Sequence, residues 1–326
     1  MPSSGRIRLS LIVPLICCIC VCSCDDESGG FEPEPTILPQ VHRFPQWSVG
    51  GDSLYFIDEG VTELHAEGGY SIDPDSAGLR IIARDGGTTR MVMNIGGFFT
   101  YSLSPDGSSA CVGGGDVFTG TFLNGSLDPS TFVPVTNVGG VIHASWSPTG
   151  DWIAFDTNHN DPRGALAVWK IKPDGSEMTD LSIHGKGEWL MPSWDATGTK
   201  IVYVRYVSAP DTPASEIFVM DANGANSKRL TKNNVMDVDP RFSPDGTRVC
   251  YERRGGDGDI STYICTIRIN GGDYRELARG EMPAWSPDGS EIAYVATTDD
   301  PRTNGTIWVV KADGSHNVQV TTSRLK

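Results

Sequence analysis

Apolar and polar residues alternate in short runs along most of the chain beyond residue 40, and clusters of turn formers separate the runs. The clearest run is Glu291-Ile292-Ala293-Tyr294-Val295, preceded by the turn Ser286-Pro287-Asp288-Gly289 with Trp285 directly before it. Period-two alternation of β-branched and aromatic residues predicts strands, because successive side chains of a strand point to opposite faces. The four turn residues have type I chemistry: a hydroxyl first, proline presetting φ second, glycine last. A β-hairpin over Trp285–Val295 follows.

The same hairpin recurs. Superposed on the turn glycine, six copies anchor at Gly51, Gly107, Gly150, Gly198, Gly246 and Gly289, at intervals of 43–56 residues. Four residues before each anchor stand Trp47, Leu103, Trp146, Trp194, Phe242 and Trp285. Three and five residues after it come the pairs Leu54/Phe56, Ala110/Val112, Ile153/Phe155, Ile201/Tyr203, Val249/Tyr251 and Ile292/Tyr294. A bulky apolar residue at a fixed offset in every copy marks a packing position.

Each copy holds a second turn, at Asp85-Gly86, Asn124-Gly125, Asp174-Gly175, Asn223-Gly224, Asn270-Gly271 and Asp313-Gly314. Asn-Gly and Asp-Gly suit tight hairpins, whose central residues need φ > 0. Two hairpins per period make four strands per unit of about 40–50 residues, the signature of a propeller blade. Paired-helix repeats have similar periods, but the alternation and the Gly/Pro density argue against them. The expected fold is all-β, a six-bladed propeller of four-stranded antiparallel blades. The blades span approximately 45–95, 98–137, 140–184, 188–232, 236–279 and 280–323, within a propeller of residues 41–326. Thr36–Phe44 is expected to add a strand to the last blade and so close the ring.

The first residues have a different character. Arg6 and Arg8 precede an apolar run from Leu9 to Cys22, too short to span a bilayer, and Val21-Cys22-Ser23-Cys24 follows. This resembles a bacterial lipoprotein signal, with residues 1–23 removed and Cys24 lipidated; an ordinary secretory signal is the alternative. Residues 24–40, acidic and bearing Gly and Pro, would then be a disordered tether. The whole chain carries a net charge of −15, and loss of Arg6 and Arg8 makes the remainder more acidic still. Such a domain has no electrostatic footprint for nucleic acid and would leave membrane attachment to the lipid. An exported lipoprotein, in the periplasm or at the cell surface, is expected. Five of the eight cysteines lie in the leader; Cys111 and Cys250 share one repeat position, and Cys265 lies one strand from Cys250, which leaves that pairing open.

The motif Pro-x-Trp-Ser-Pro-Asp-Gly, then Ile-x-Tyr, then Ile-x-Val, then Asp-Gly and Leu-Thr, resembles the repeat of TolB-like β-propellers. Pro192-Ser193-Trp194, Pro240-Arg241-Phe242-Ser243-Pro244-Asp245-Gly246, Pro283-Ala284-Trp285 and Arg229-Leu230-Thr231 carry it best. The chain departs from TolB itself in showing no counterpart of its N-terminal α/β domain. The resemblance implies docking of an envelope protein or peptide, another lipoprotein included, on the propeller of a monomer.

Whatever recurs in every blade serves the blade, so candidate sites lie in the irregular remainder. The two kinds of turn share one face, and the opposite face carries the variable connections 59–78, 158–164, 207–215, 253–261 and 297–305. The strands just before each anchor line the central channel, with His143, Glu188, Trp189, Asp237, Asp239, Arg241 and Glu281 as candidate ligand-binding residues at its mouth. No Gly-x-Ser-x-Gly elbow and no paired histidine ligands occur, and no catalytic residue, cofactor or metal is expected. Asp73-Pro74-Asp75 and Asp257-Gly258-Asp259 lack the ligand number of a calcium loop and are read as turns. Two functions remain: a non-catalytic binding scaffold, or a carbohydrate-binding or carbohydrate-active propeller. The second requires Asp237, Asp239 and Glu281 to converge in a deep pocket floored by aromatics such as Trp189.

Overall fold

The computed structural model describes residues 37–38, 42–64, 70–72, 76–94, 100–159, 161, 164–182, 188–208, 213–255, 261–300, 303–322 and 324–325. Cys24, the tether up to residue 36 and most of the variable-loop tips lie outside the described residues. Within them the chain is strand and turn, with one 3₁₀ turn at Pro129–Thr131. The strands form antiparallel groups in chain order, each starting from an inner strand: His42–Trp47, Thr100–Leu103, Ala144–Trp146, Trp189–Trp194, Met236–Phe242 and Arg275–Trp285. Arg275–Trp285 belongs to two groups. Its first half pairs with Thr262–Arg268 as an outer strand, and its second half pairs with Glu291–Ala296 as an inner one.

Packing closes the groups into a ring. The buried side chains between neighbouring sheets form successive clusters, such as Leu79 with Tyr101 and Leu103, and Phe155 with Cys111 and Val117. The last of them joins Trp47, Leu54 and Phe56 of the first group to Ala293, Val295 and Ile307 of the final one. The apolar offsets read from the sequence are these packing positions: Leu54, Ala110, Ile153, Ile201, Val249 and Ile292 have no exposed surface.

The turns lace the same ring along one face. In the Ser-Pro-Asp-Gly turns Asp288 accepts the Ser286 hydroxyl at 2.7 Å and the Ser290 N–H at 3.0 Å, while Gly289, at φ 73°, donates to the Ser286 carbonyl. Asp106 and Asp245 repeat this arrangement. In five of the six turns the second residue lies over the glycine of the next, joined at Gly198 by a closer Thr149. A Cβ on Gly107 would meet Val49 at 3.3 Å, one on Gly150 would meet Pro105 at 4.0 Å, and one on Gly51 would meet Pro287 at 3.4 Å. Gly246 alone among the six anchors has open space there, because the preceding turn carries Ala196 in place of proline.

One expectation changes and one open pairing is resolved. Ile37–Leu38 pairs antiparallel with Arg324–Leu325 in a separate two-stranded sheet, while His42–Trp47 is the inner strand of the first group. The two ends of the described residues therefore pair with each other in a sheet of their own and do not extend that of the last group. Cys250 and Cys265 are both free. Cys250 sits opposite Thr266, and Cys265 sits opposite Tyr251. Their side chains therefore leave opposite faces of the sheet and enter different clusters, Cys250 with Ile292 and Cys265 with Val249.

Candidate functional site

Four inner strands carry the same irregularity. The ladder slips between Arg43 and Gln46, Leu190 and Ser193, Val238 and Arg241, and Glu281 and Ala284. At each slip a residue with φ of 50–56° precedes a proline: Phe44-Pro45, Met191-Pro192, Asp239-Pro240 and Met282-Pro283. These are β-bulges, which bend a strand and re-aim its side chains. Their N–H groups, lost to the ladder, find partners in the neighbouring sheet. Met191 donates to Asp156 at 2.9 Å, Met282 to Glu252 at 3.3 Å, Asp239 to the Met191 sulfur and Phe44 to the Met282 sulfur, both at 3.4 Å.

The inner strands enclose a channel of about 420 Å³. Seven residues before the anchors its wall holds Phe44, Thr100, His143, Met191 and Met282; five before, it holds Gln46, Ser102, Ser145, Ser193, Arg241 and Ala284. His143 Nδ1 lies 2.6 Å from Asp156 Oδ2. Asp156 is fully buried and also accepts the backbone N–H groups of His143 at 2.9 Å and Ile142 at 3.3 Å. Burial works against a charged imidazole, but the Asp156 carboxylate outweighs it and raises the His143 pKa. Arg241 donates to its neighbour's carbonyl, Pro240 O, at 2.9 Å and stands 3.9 Å from Asp239 Oδ1. That buried oxygen has no hydrogen-bond partner.

The other expected residues separate. Trp189 does not floor a pocket: it is buried between sheets, stacked on Tyr203 at 4.7 Å with the Arg205 guanidinium over its ring. Asp237 is fully buried, bonded to Arg253 Nε at 2.9 Å and Asn233 Nδ2 at 2.7 Å. Glu188 is exposed, its carbonyl accepting Tyr206 N–H. Glu281 is half-buried off the channel wall, within electrostatic reach of Arg43, Arg254 and Asp239. Asp156 and Glu252 escaped the sequence reading, yet a signal existed. Both stand six residues after an anchor, where the other units have Ile57, Gly113, Val204 and Val295. Among the described residues no group of three or more His, Cys, Asp or Glu side chains is placed to hold a metal ion.

Two sets of carboxylates predict a stability profile with a maximum. The hydroxyl and N–H donors of the turns hold Asp106 and Asp288 down to about 2. Their contribution is complete above the ordinary aspartate range and is lost as pH falls from about 4 toward 2. Burial raises Glu252; Arg254 opposes this, and Glu281 and Asp239 push it further up. The folded chain thus binds that proton more tightly than the unfolded one, and stability is gained as pH falls from neutral into the acid range. The thermal midpoint, scanned from pH 8 to 2, is expected to rise first and to fall below about pH 4. Glu252→Gln should flatten the rise and leave the fall.

Residues 206–326 match the TolB beta propeller domain family. The fold is a β-propeller. The TolB crystal structure from Acinetobacter baumannii superposes on it with a TM-score of 0.62 at 17% identity, over 78% of this chain and 63% of that one. At that identity the likeness is one of fold. The uncharacterized protein Atu1656 of Agrobacterium fabrum is 23% identical over 297 residues, which are 79% of this chain and 85% of that protein. The Tol-Pal system protein TolB of Roseobacter denitrificans is 40% identical over 53 residues, 16% of this chain and 12% of the relative. Four of the six units share the bulged inner strand, and they differ in what each hangs on it.

Proposed function

We propose that this chain is a non-catalytic binding scaffold of the bacterial cell envelope. In this proposal a six-bladed propeller, tethered through lipid on Cys24, holds a protein or peptide at its variable-loop face and channel mouth. The observation that carries it is a channel wall built from main-chain bulges and fixed by fully buried carboxylates. A preformed, concave wall of this kind suits recognition, because little ordering is left to the moment of binding. The Tol-Pal designation of the Roseobacter relative adds support for a protein partner. A carbohydrate-active reading would rest on acidic channel residues, and Asp237 is committed to Arg253 while Glu281 stands off the wall.

Cross-linking followed by pull-down of the tethered chain from its own envelope tests this. Recovery of an envelope protein is expected; recovery of glycans alone would overturn the proposal. Cys24→Ala should move the chain from the detergent-extracted membrane fraction to the soluble one.

A further inference from the structure

We infer that the channel accepts a carboxylate, an acidic side chain or C-terminus of the peptide partner, with Arg241 as its anchor. The inference rests on the binding role proposed above and names the chemistry of the group that enters.

The chain is strongly acidic, yet of the three charged side chains on the channel wall, Arg241, His143 and Asp195, the carboxylate is taken up by its own turn, accepting the Thr199 and Lys200 N–H groups and the Thr197 hydroxyl. The counter-ions of Arg241 and His143 stand behind them. The Arg241 side chain is 34% exposed and that of Asp239 is 5%; His143 is 14% exposed and Asp156 is 0%. The cavity therefore meets a cationic front with its negative charge set back in the protein. Asp156 is occupied by three backbone N–H groups and the imidazole, which fixes His143 in place with its other nitrogen unused by that pairing.

Arg241 is held differently. Its guanidinium spends one donor on Pro240 O, and Asp239 Oδ1 at 3.9 Å is beyond hydrogen-bond distance. A guanidinium has five N–H donors in a planar fork that matches a carboxylate in bidentate geometry. The repeat does not require it: at the same offset the other units have Gln46, Ser102, Ser145, Ser193 and Ala284. The three serine hydroxyls add short polar groups to the wall, and Met191 and Met282 supply apolar surface for the methylene stem of an acidic side chain. A cavity of about 420 Å³ takes a group of that size.

The test uses three probes on the full chain: acetylated, amidated triglutamate, its triglutamine counterpart, and trigalacturonate. Quenching of the indoles on the wall, Trp47, Trp146, Trp194 and Trp285, reports occupancy. Triglutamate should bind about tenfold or more tightly than triglutamine, with an affinity that falls as salt rises. Arg241→Gln should bring triglutamate to the triglutamine level, and Arg241→Lys should recover only part, since it keeps charge without the fork. Thermal midpoints near that of the parent chain verify that both variants fold. Equal binding of the two peptides, or an Arg241→Gln variant that binds triglutamate unchanged, overturns the inference. If the pull-down still recovers a protein in that case, the scaffold function stands without it. Trigalacturonate binding tighter than triglutamate would instead keep the carboxylate site and overturn the peptide as its source.

Discussion

Asp156→Ala is expected to destabilise the protein by about 3–5 kcal/mol, because it removes one partner from a buried charged network. The carboxylate has no exposed surface, and one residue joins two sheets: His143 and Ile142 donate from one side, Met191 from the bulge of the next. Alanine leaves three buried N–H groups without acceptors and strips His143 of the charge that favours its protonation. Urea unfolding measures the first effect, and the His143 resonance against pH measures the second, as a fall in its pKa. Asp156→Asn keeps one acceptor oxygen and should lose less stability while lowering the His143 pKa similarly. A loss below about 1 kcal/mol in the alanine variant would mean that water replaces the carboxylate, and that the bulges are not held by it.

Trp189→Ala should cost roughly 3–5 kcal/mol, the usual penalty for emptying a large buried aromatic site. The indole is stacked on Tyr203 within a cluster that includes Trp194, Ile201 and Phe218. The same variant should leave affinity at the channel unchanged, since Trp189 does not line it. Denaturation and the triglutamate titration separate the two readouts. Weaker binding in a variant of normal stability would return Trp189 to the site.

The periodic part of the molecule was legible because each unit repeats one solution to the same packing problem. The offsets of Trp47, Trp146, Trp194, Phe242 and Trp285, and of the strand pairs after each anchor, are the apolar positions of the sheets. The site was harder to read because the bulge breaks the alternation on which strand faces are inferred. In a regular strand Trp189 would share a face with Met191 and Ser193. It instead packs with Trp194, five residues on, in one cluster. Asp237 lies likewise on the wrong side of the slip between Val238 and Arg241. A one-residue shift exchanges the two faces of a strand. The four X-Pro dipeptides mark where this happens, although a proline alone does not tell a bulge from a strand end. His143 and Arg241, which follow or lack the slip, were placed on the channel from sequence, and there they stand.

The lacing of the turns has a consequence for how the ring yields. Where a proline or valine overlies the next glycine, widening the aperture must first separate that contact. Between Ala196 and Gly246 that contact is missing, and there the groups are joined instead by the Ser215–Met236 bridge and one shared cluster, while the last two groups share a continuous strand. The means by which neighbouring groups are joined therefore differs around the aperture. The joint between the Trp194 and Phe242 strands is thus held from within and not at its turns, and the second of these strands carries Arg241. The position of Arg241 is therefore set by the packed interior beneath it, so a change in the Ala196 turn alone should leave the channel wall where it is.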